Sequence, residues 1–491
     1  MASYQLVVIG AGPGGYAAAF YAADLGMQVA LVDTELNPGG VCLYRGCIPS
    51  KALLHVAKVI GEARHASAWG ITYGDPKIDL DKLRAFKDGV VSKLTGGLGQ
   101  VSKMRKVTYI QGKASFAGPT SLDVALVNGG REKVDFTHAI IATGSRPATV
   151  PGLSIDSDRV MDSTSGLDLP DIPKTLLVVG GGYIGLELGS VYAALGTKVT
   201  VVEMTPGLLP GADRDLVTIL GRRMEQTMAQ VLVNARVTEM KPAKAGVTVR
   251  IETQAAPAAA ASGNPAPAGG SAPATVSNEQ VFDRVLVSVG RKPNSAIDGL
   301  DKTAVQVGDR GFIQVDAAMR TAEPSIFAIG DVVGEPMLAH KASHEARIAV
   351  EAALGHRVAF EPQAIPAVVF TDPEVAWCGL TETEAKKQNR KVEIAKFPWA
   401  ALGRALAIDR PDGLTKLVID PDTERVLGVG IVGTGAGDLI SEGVLAIEMG
   451  ALATDLKLTI HPHPTLSETI MEAAEVFFGH STHVYRPKKK S

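Results

Sequence analysis

The sequence predicts an α/β protein in which two domains of one pattern precede a separate α+β domain. A strand, a glycine-rich turn, a helix and a second strand ending in an acidic residue occur twice, about 170 residues apart. Beyond about residue 365, short strand-like runs precede a helical C-terminal stretch, which is typical of an α+β domain. At roughly 150 residues per domain, the 491 residues suffice for about three domains.

The first copy of the pattern lies at the N-terminus. The apolar run 6–9 leads into Gly10, Gly12 and Gly15, an alanine-rich helix to about residue 25, and a strand that ends at Asp33. The first glycine permits a tight turn, the second lets a pyrophosphate approach the backbone, and the third lets the helix pack on the strand. The helix N-terminus offers free N–H groups to phosphate, and Asp33 suits ribose hydroxyls. This copy therefore predicts a dinucleotide site.

The second copy repeats each of these features. Gly180, Gly182 and Gly185 follow the strand at 176–179, and Glu203 follows the first glycine by the same 23 residues that separate Gly10 from Asp33. One such turn is weak evidence, but two in full βαβ context predict two Rossmann-like domains and two bound dinucleotides. Glu203 would repel a 2′-phosphate, and no Lys or Arg lies between it and residue 214, so NAD is favoured over NADP.

Two further runs, 140–145 and 285–291, are apolar strands that end near Gly144 and Gly290, as expected for strands returning the chain to its sheet. Residues 255–275 contain only Ala, Pro, Gly, Ser, Asn and Thr, and interrupt the strand-like runs 247–253 and 281–289. Such a composition predicts a disordered surface loop that is a passive insertion. The tail at 486–490 is expected to be a solvated end.

Composition and charge exclude several classes of protein. The 49 Lys and Arg against 52 Asp and Glu give a formal charge of −3, which favours neither nucleic acid nor an anionic membrane. No apolar run is long enough for a membrane span, no metal site is predicted, and the N-terminus has no basic region of the secretory type. Three cysteines are too few for a disulfide framework and indicate a reducing compartment, so we expect a cytoplasmic protein.

Two of these cysteines, Cys42 and Cys47, lie five positions apart in a glycine-rich segment. Five steps of an ideal helix separate side chains by about 140°, so an irregular turn is needed to bring the thiols together. Free cysteines are often buried hydrophobic residues, and this alternative applies most simply to Cys378. Because Cys42 and Cys47 follow a dinucleotide turn by about 30 residues, a redox pair beside an electron-accepting ring is favoured.

The segment 39–51 resembles the active-site disulfide of the flavin-dependent pyridine nucleotide–disulfide oxidoreductases, and the resemblance covers nearly the whole chain. Residues 321–331 resemble the second flavin motif of that family, and residues 337–342 follow as expected. The run 461–468 matches the motif that carries the family's catalytic base. Four residues differ from those most common at their positions in the family. The difference at Asp33 concerns the ribose contact, and the differences at Val41, Tyr44 and Arg45 concern the redox tuning of the disulfide. The expected reaction is the same.

The resemblance implies roles for particular residues. Cys42 would exchange with the substrate, Cys47 would face the flavin, and His463, oriented by Glu468, would take the substrate's thiol proton. The residues expected to bind FAD are Gly10, Gly12, Gly15, Asp33, Lys51, Thr143, Gly144, Ser145, Asp331 and Ala339. The residues expected at the NAD site are Gly180, Gly182, Gly185, Glu187, Glu203 and Gly290.

The resemblance also implies domains and partners. Residues 1–150 would bind FAD, 151–290 would bind NAD, 291–360 would complete the FAD site, and 361–491 would form the dimerisation domain of a homodimer. In such a homodimer the base would act on the partner subunit's disulfide.

Within the family, the run 47–51 favours oxidation of protein-bound dihydrolipoamide by NAD⁺. The partners would be lipoyl domains of 2-oxoacid dehydrogenase or glycine cleavage complexes. The alternatives are another flavin disulfide reductase, such as a glutathione reductase, and a noncatalytic flavoprotein subunit.

Overall fold

The computed structural model describes residues 2–150, 152–153, 155–254 and 275–485. Its first part is a mainly parallel sheet with helices around it. The elements are β1 (Ala2–Ile9), α1 (Pro13–Asp24), β2 (Val29–Asp33), α2 (Gly40–Arg45), α3 (Cys47–His65), α4 (Leu80–Met104), β3 (Thr108–Gly118), β4 (Ser121–Leu126), β5 (Arg131–Ile141) and β6 (Ser145–Pro147). Strand β1 pairs in parallel with β2 and β5, and β2 pairs in parallel with β3. Strand β4 joins β3 to β5 in antiparallel fashion.

The second part repeats this plan. Its elements are β7 (Val160–Met161), β8 (Thr175–Val179), α5 (Tyr183–Ala194), β9 (Lys198–Val202), α6 (Arg214–Thr227), β10 (Gln230–Leu232), β11 (Ala235–Ala243), β12 (Gly246–Gln254), β13 (Thr275–Phe282) and β14 (Arg284–Val287). A parallel sheet in the order β10-β9-β8-β14-β7 is followed by an antiparallel sheet of β11, β12 and β13. Strands β8 and β9 are almost entirely buried, as the continuous apolar runs of a parallel sheet require.

The chain then returns to the first sheet. The elements are β15 (Arg291–Pro293), β16 (Ile326–Ala328) and α7 (Ala339–Ala353). Strand β16 pairs in parallel with β5, β15 pairs with β6, and α7 packs against α1. Residues far along the sequence therefore complete the first sheet at its edge.

The last part is a five-stranded antiparallel sheet with helices. The elements are β17 (Ala367–Val369), β18 (Glu374–Gly379), α8 (Glu382–Lys387), β19 (Glu393–Pro398), α9 (Gly403–Ala407), β20 (Leu414–Ile419), β21 (Val426–Gly433), α10 (Ala436–Glu448), α11 (Ala453–Leu458) and α12 (Glu468–Phe478). The strand order is β17-β18-β21-β20-β19. The predicted fold class, two Rossmann-like units and a C-terminal α+β unit, is confirmed.

One predicted strand is wrong. Residues 281–289 do not form a single strand, because β13 ends at Phe282 and β14 begins at Arg284. Between them, Asp283 accepts hydrogen bonds from both the backbone N and the hydroxyl of Thr175. The chain turns there from the antiparallel sheet into the parallel one. The loop predicted at 255–275, apart from Thr275, which begins β13, and the tail at 486–490 lie outside the described residues.

A buried lysine joins the second unit to the C-terminal sheet. Lys416 is 1% exposed, and its Nζ lies 2.7 Å from a carboxylate oxygen of Asp213, 2.9 Å from Asp215 and 3.2 Å from Glu382. Asp213 also accepts hydrogen bonds from the backbone N of Glu382 and of Thr383. Burial alone would raise the pKa of Asp213, but the hydrogen bonds from Lys416 and Glu382 lower it. These side chains therefore form one charged cluster between two parts of the fold.

We expect Lys416→Met to lower the free energy of unfolding by about 3–5 kcal/mol, because the buried carboxylates lose their counter-charge. Denaturant unfolding of the purified protein measures this. The pKa of Asp213 is depressed in the folded state, so its contribution is present at neutral pH and is lost as the pH falls. The difference in unfolding free energy between the wild type and Lys416→Met should therefore become smaller below about pH 4.

The control is Lys391→Met, which breaks an exposed ion pair with Asp422. Because both partners are exposed, this substitution should change the free energy of unfolding far less than Lys416→Met does. Equal effects of the two substitutions would contradict a structural role for the buried cluster.

Candidate active site

The two glycine turns are built alike. Gly10 has φ +98° and Gly180 has φ +110°, values that disfavour any residue with a side chain. A Cβ added at Gly15 would lie 1.8 Å from the carbonyl oxygen of Gly10, and one at Gly185 would lie 2.2 Å from that of Gly180. The third glycine of each turn is therefore needed for the helix to pack against the strand.

Each acidic residue holds its own glycine turn. Asp33 accepts a hydrogen bond of 2.6 Å from the backbone N of Ala11, and Glu203 accepts one of 2.7 Å from that of Gly181. The side chain of Glu203 is buried. Arg214, the first basic residue after Glu203, donates to the carbonyl oxygens of Leu208, Leu209 and Ala212. The guanidinium of Arg214 is thus bound by backbone carbonyl oxygens.

The two candidate redox cysteines lie at a break between helices. Helix α2 ends at Arg45, Gly46 adopts φ −146° and ψ −112°, and α3 begins at Cys47. This break is the irregular turn that the spacing required. Both cysteines are free thiols, and the Cys42 thiol hydrogen-bonds to Cys47.

The hydrogen bond makes the two cysteines unequal. It lowers the pKa of Cys47, burial opposes this, and the charge of Lys51 lowers that pKa further. The same contact, together with burial, raises the pKa of Cys42. In the dithiol state, the negative charge therefore belongs on Cys47.

Glu187 lies behind this pair and is 3% exposed. One carboxylate oxygen accepts from Lys51 Nζ at 2.7 Å and from Ser50 Oγ at 3.0 Å. The other accepts from the backbone N of Phe370 at 3.0 Å, and Lys51 Nζ lies 4.4 Å from the centre of the Phe370 ring. Lys51 is thereby held close to Cys47.

Asp331 is placed by a similar chain of contacts. Ser145 Oγ donates to Asp331 Oδ2 at 2.5 Å and accepts from Arg291 Nε at 2.7 Å. Ser145 is buried, and Arg291 also donates to its carbonyl oxygen. A residue of the central segment therefore meets β6, the short strand that follows β5, at this point.

One cavity contains most of the expected flavin residues and the cysteine pair. Its walls include Gly10, Gly12, Asp33, Cys42, Cys47, Lys51, Thr143, Gly144, Ser145, Glu187, Asp331 and Ala339. Gly15 supports the turn from behind and does not line it. The expected NAD-site residues that lie elsewhere are Gly180, Gly182, Gly185, Glu203 and Gly290.

His463 and Glu468 do not line this cavity either. His463 Nδ1 lies 2.9 Å from Glu468 Oε1, and Glu468 Oε2 accepts from the backbone N of Thr465 at 2.7 Å. The His463 side chain is 74% exposed, whereas that of Glu468 is 11% exposed. Glu468 thus holds the imidazole, and Nε2 makes no hydrogen bond within the described part of the chain.

Sequence reasoning missed Gly40, which lines the cavity with φ +57°. A Cβ there would lie 2.5 Å from Cα of Gly12. The signal was present as a second glycine pair, Gly39-Gly40, just before Cys42. It also missed Glu35, and it noted Arg45 only as a departure from the family; both residues line the cavity and form an ion pair.

Two family models match the chain. The pyridine nucleotide-disulphide oxidoreductase model matches residues 4–346, and the dimerisation domain of the same group matches residues 365–474. The chain belongs to the pyridine nucleotide-disulphide oxidoreductase family. The cofactors of this chemistry are FAD and NAD(H), as expected from the sequence.

The chain is similar over its full length to particular members. It is 47% identical to a dihydrolipoyl dehydrogenase of Haemophilus influenzae, over 99% of this chain and 97% of that one. It is 45% identical to a dihydrolipoyl dehydrogenase of Thermus scotoductus, over 99% of both. A crystal structure of LpdA from Mycobacterium tuberculosis superposes with a TM-score of 0.84 at 26% identity, covering 97% of this chain and 99% of that one.

The cavity fits FAD. The glycine turn at Gly10 and the N-terminus of α1 offer backbone N–H groups to a pyrophosphate, and Asp33 lies where a ribose would bind. The close approach at Gly40 leaves no room for a side chain between the turn and α2. The cysteines lie on the wall of the same cavity, where a flavin ring would reach them.

We expect Gly40→Ala to weaken FAD binding by at least about tenfold, because the residue needs a left-handed φ and its Cβ would push Gly12 away. The ratio of flavin to protein absorbance after purification measures the occupancy. Gly97→Ala, within α4, is the control because its Cβ meets nothing within 4 Å. That control should keep its FAD and gain up to about 1 kcal/mol of stability. Full occupancy of Gly40→Ala would refute this role of the loop.

Proposed function

We propose that this chain oxidises protein-bound dihydrolipoamide to lipoamide and reduces NAD⁺, through a Cys42–Cys47 disulfide. The observation that carries the proposal is the cysteine pair on the wall of the dinucleotide cavity, with Lys51 and Glu187 behind it. The full-length similarity to dihydrolipoyl dehydrogenases supports the choice of substrate.

The first half-reaction is a thiol–disulfide exchange. One substrate thiolate attacks the sulfur of Cys42, breaks its bond to Cys47, and leaves a mixed disulfide with Cys42 and a thiolate on Cys47. The second substrate thiol then displaces Cys42, so that the substrate becomes a cyclic disulfide and the protein a dithiol. Two electrons have moved from substrate to protein. FAD, held by the glycine turn at Gly10 and by Asp33, would supply an acceptor for these two electrons and a hydride donor toward NAD⁺.

Unequal cysteines suit this exchange. The charge of Lys51 stabilises the thiolate of Cys47, which makes Cys47 the better leaving group, and the Cys42 thiol adds to this stabilisation once the dithiol has formed. Cys42 is then the sulfur that the substrate attacks. This assignment agrees with the roles that the family resemblance implies.

His463 would act as the base. A dithiol is mostly protonated near neutral pH, whereas the thiolate is the nucleophile, so a base must take the first proton. The contact with Glu468 fixes Nδ1 and leaves Nε2 to receive that proton. His461 lies close to this pair, but its side chain is 5% exposed and its Nε2 lies 2.8 Å from Glu442, which suits a structural role.

The base and the cysteines belong to one site only if two chains meet. Within one chain, His463 does not line the cavity that contains Cys42 and Cys47. The chain also has a dimerisation domain, which includes His463. We therefore infer a homodimer in which the base of one chain serves the partner subunit's disulfide.

The second glycine turn would bind NAD. Gly180, Gly182 and Gly185 would form the phosphate turn, and Glu203, which accepts a hydrogen bond from the backbone N of Gly181 in that turn, would bind the ribose. Arg214 is held by backbone carbonyls and is not offered to a 2′-phosphate. These contacts support NAD over NADP.

Within the part of the chain that the structure describes, none of the helices has the length and apolar character of a membrane span.

The choice of substrate is tested with the purified protein. Turnover of dihydrolipoamide with NAD⁺, followed as NADH absorbance, should exceed turnover of glutathione disulfide with NADPH by at least about a hundredfold, because Glu203 opposes the 2′-phosphate. Cys47→Ser should keep FAD and lose the first reaction. Faster turnover of glutathione disulfide would replace the proposal with a glutathione reductase. No turnover of either pair would favour a noncatalytic flavoprotein subunit.

Mixed dimers test the shared site. Cys47→Ser and His463→Gln chains should each be inactive as homodimers, yet a dimer of one of each would contain one intact site. Equal co-expression should restore about a quarter of wild-type turnover, because half of the dimers are mixed and each has one working site. Affinity tags of two kinds allow the mixed dimer to be isolated. If the base and cysteines of one chain act together, the mixed dimer will stay inactive.

A further inference from the structure

The loop that carries Cys42 is closed at its base by side chains. It leaves β2 after Asp33 and ends at Gly46. The carboxylate of Glu35, at its start, forms an ion pair with the guanidinium of Arg45, at its end. Beside them, the Tyr44 hydroxyl donates to the carbonyl oxygen of Asn37 at 3.1 Å and lies 3.3 Å from the Asn37 backbone N. Two contacts therefore join the ends of one loop.

The middle and the start of this loop are fixed to the sheet. The backbone N of Gly39 donates to the carbonyl oxygen of Ala11 at 2.8 Å. From β3, the hydroxyl of Tyr109 donates to the carbonyl oxygen of Glu35 at 2.9 Å, and Gln111 Nε2 donates to that of Thr34 at 3.2 Å. The backbone of Glu35 is thus fixed to β3, and the side chain of Glu35 holds Arg45 through the ion pair.

The ion pair also lies on the cavity wall. Glu35 and Arg45 both line the cavity that contains Asp33 and Cys47. Their side chains are 23% and 42% exposed, so the pair lies where the cavity meets solvent. The guanidinium has five N–H donors, and the pair with Glu35 occupies one side of it.

We propose that the Arg45–Glu35 ion pair is a strap over the FAD cavity that slows release of the cofactor. Under this proposal, FAD leaves over this wall when the end of α2 moves away from the loop after β2, and the ion pair opposes that movement. The inference rests on the FAD part of the proposed function and does not depend on which dithiol is oxidised.

The test is the rate of FAD release from the holoenzyme, followed as flavin fluorescence after dilution. Arg45→Met and Glu35→Gln should each release FAD about two- to fivefold faster, as expected for a partly exposed ion pair. The double variant should be no faster than either single one, because each breaks the same pair. Release from the wild type should quicken with salt, and release from the double variant should respond less.

Three further proteins sharpen the test. Lys113→Met breaks an exposed ion pair with Asp298 that does not line the cavity, and should leave release unchanged. Glu35→Arg combined with Arg45→Glu restores a pair of opposite polarity and should return release toward the wild-type rate. Arg45→Lys keeps the charge and should lie between wild type and Arg45→Met. Thermal unfolding of each apoprotein shows whether a variant is folded.

Unchanged release in the single variants would overturn the strap, and so would effects that simply add in the double variant. Turnover of dihydrolipoamide by FAD-loaded enzyme is measured in parallel. Its absence would remove the proposed substrate and leave the strap standing, whereas normal turnover with unchanged release would remove the strap alone.

Discussion

The carboxylate of Glu187 is the contact on which the rest of the site depends. It lies on α5 of the second unit and is buried, yet its hydrogen-bond donors come from α3 of the first unit and from the segment after β17. A buried carboxylate without partners would cost several kcal/mol, so these three parts of the chain must keep one arrangement. Lys51 is positioned by this contact, and Lys51 in turn stabilises the charge on Cys47.

A second buried charge fixes the same parts at another place. Lys416, from β20, meets Asp213 and Asp215 at the start of α6. The two contacts differ in sign, since one buries a carboxylate among donors and the other buries an ammonium group among carboxylates. Together they join the second unit to the C-terminal part of the chain, one through α5 and the other through the start of α6. The geometry around the cysteines is therefore a property of the whole chain.

Local features were predictable from the sequence because their causes are local. The glycine turns at Gly10 and Gly180 and the helix break at Gly46 follow from backbone sterics within a few residues. The split of residues 281–289 was not predictable, because the run is mostly apolar and its division depends on Asp283 accepting a hydrogen bond from Thr175, over a hundred residues away. The same holds for the Lys416 cluster, whose members look like ordinary surface charges in the sequence.

The sequence contains every residue of the candidate site, yet in a single chain His463 lies apart from the cysteines. Its partner Glu468 is five residues away, so the base is assembled locally at the start of α12. The cysteines are assembled at the break between α2 and α3, in another part of the fold. In one chain the exposed imidazole faces solvent, where water would compete for the proton of any thiol. Under the proposed twofold arrangement, the partner chain covers the imidazole and brings it to the substrate, so that association itself completes the chemistry.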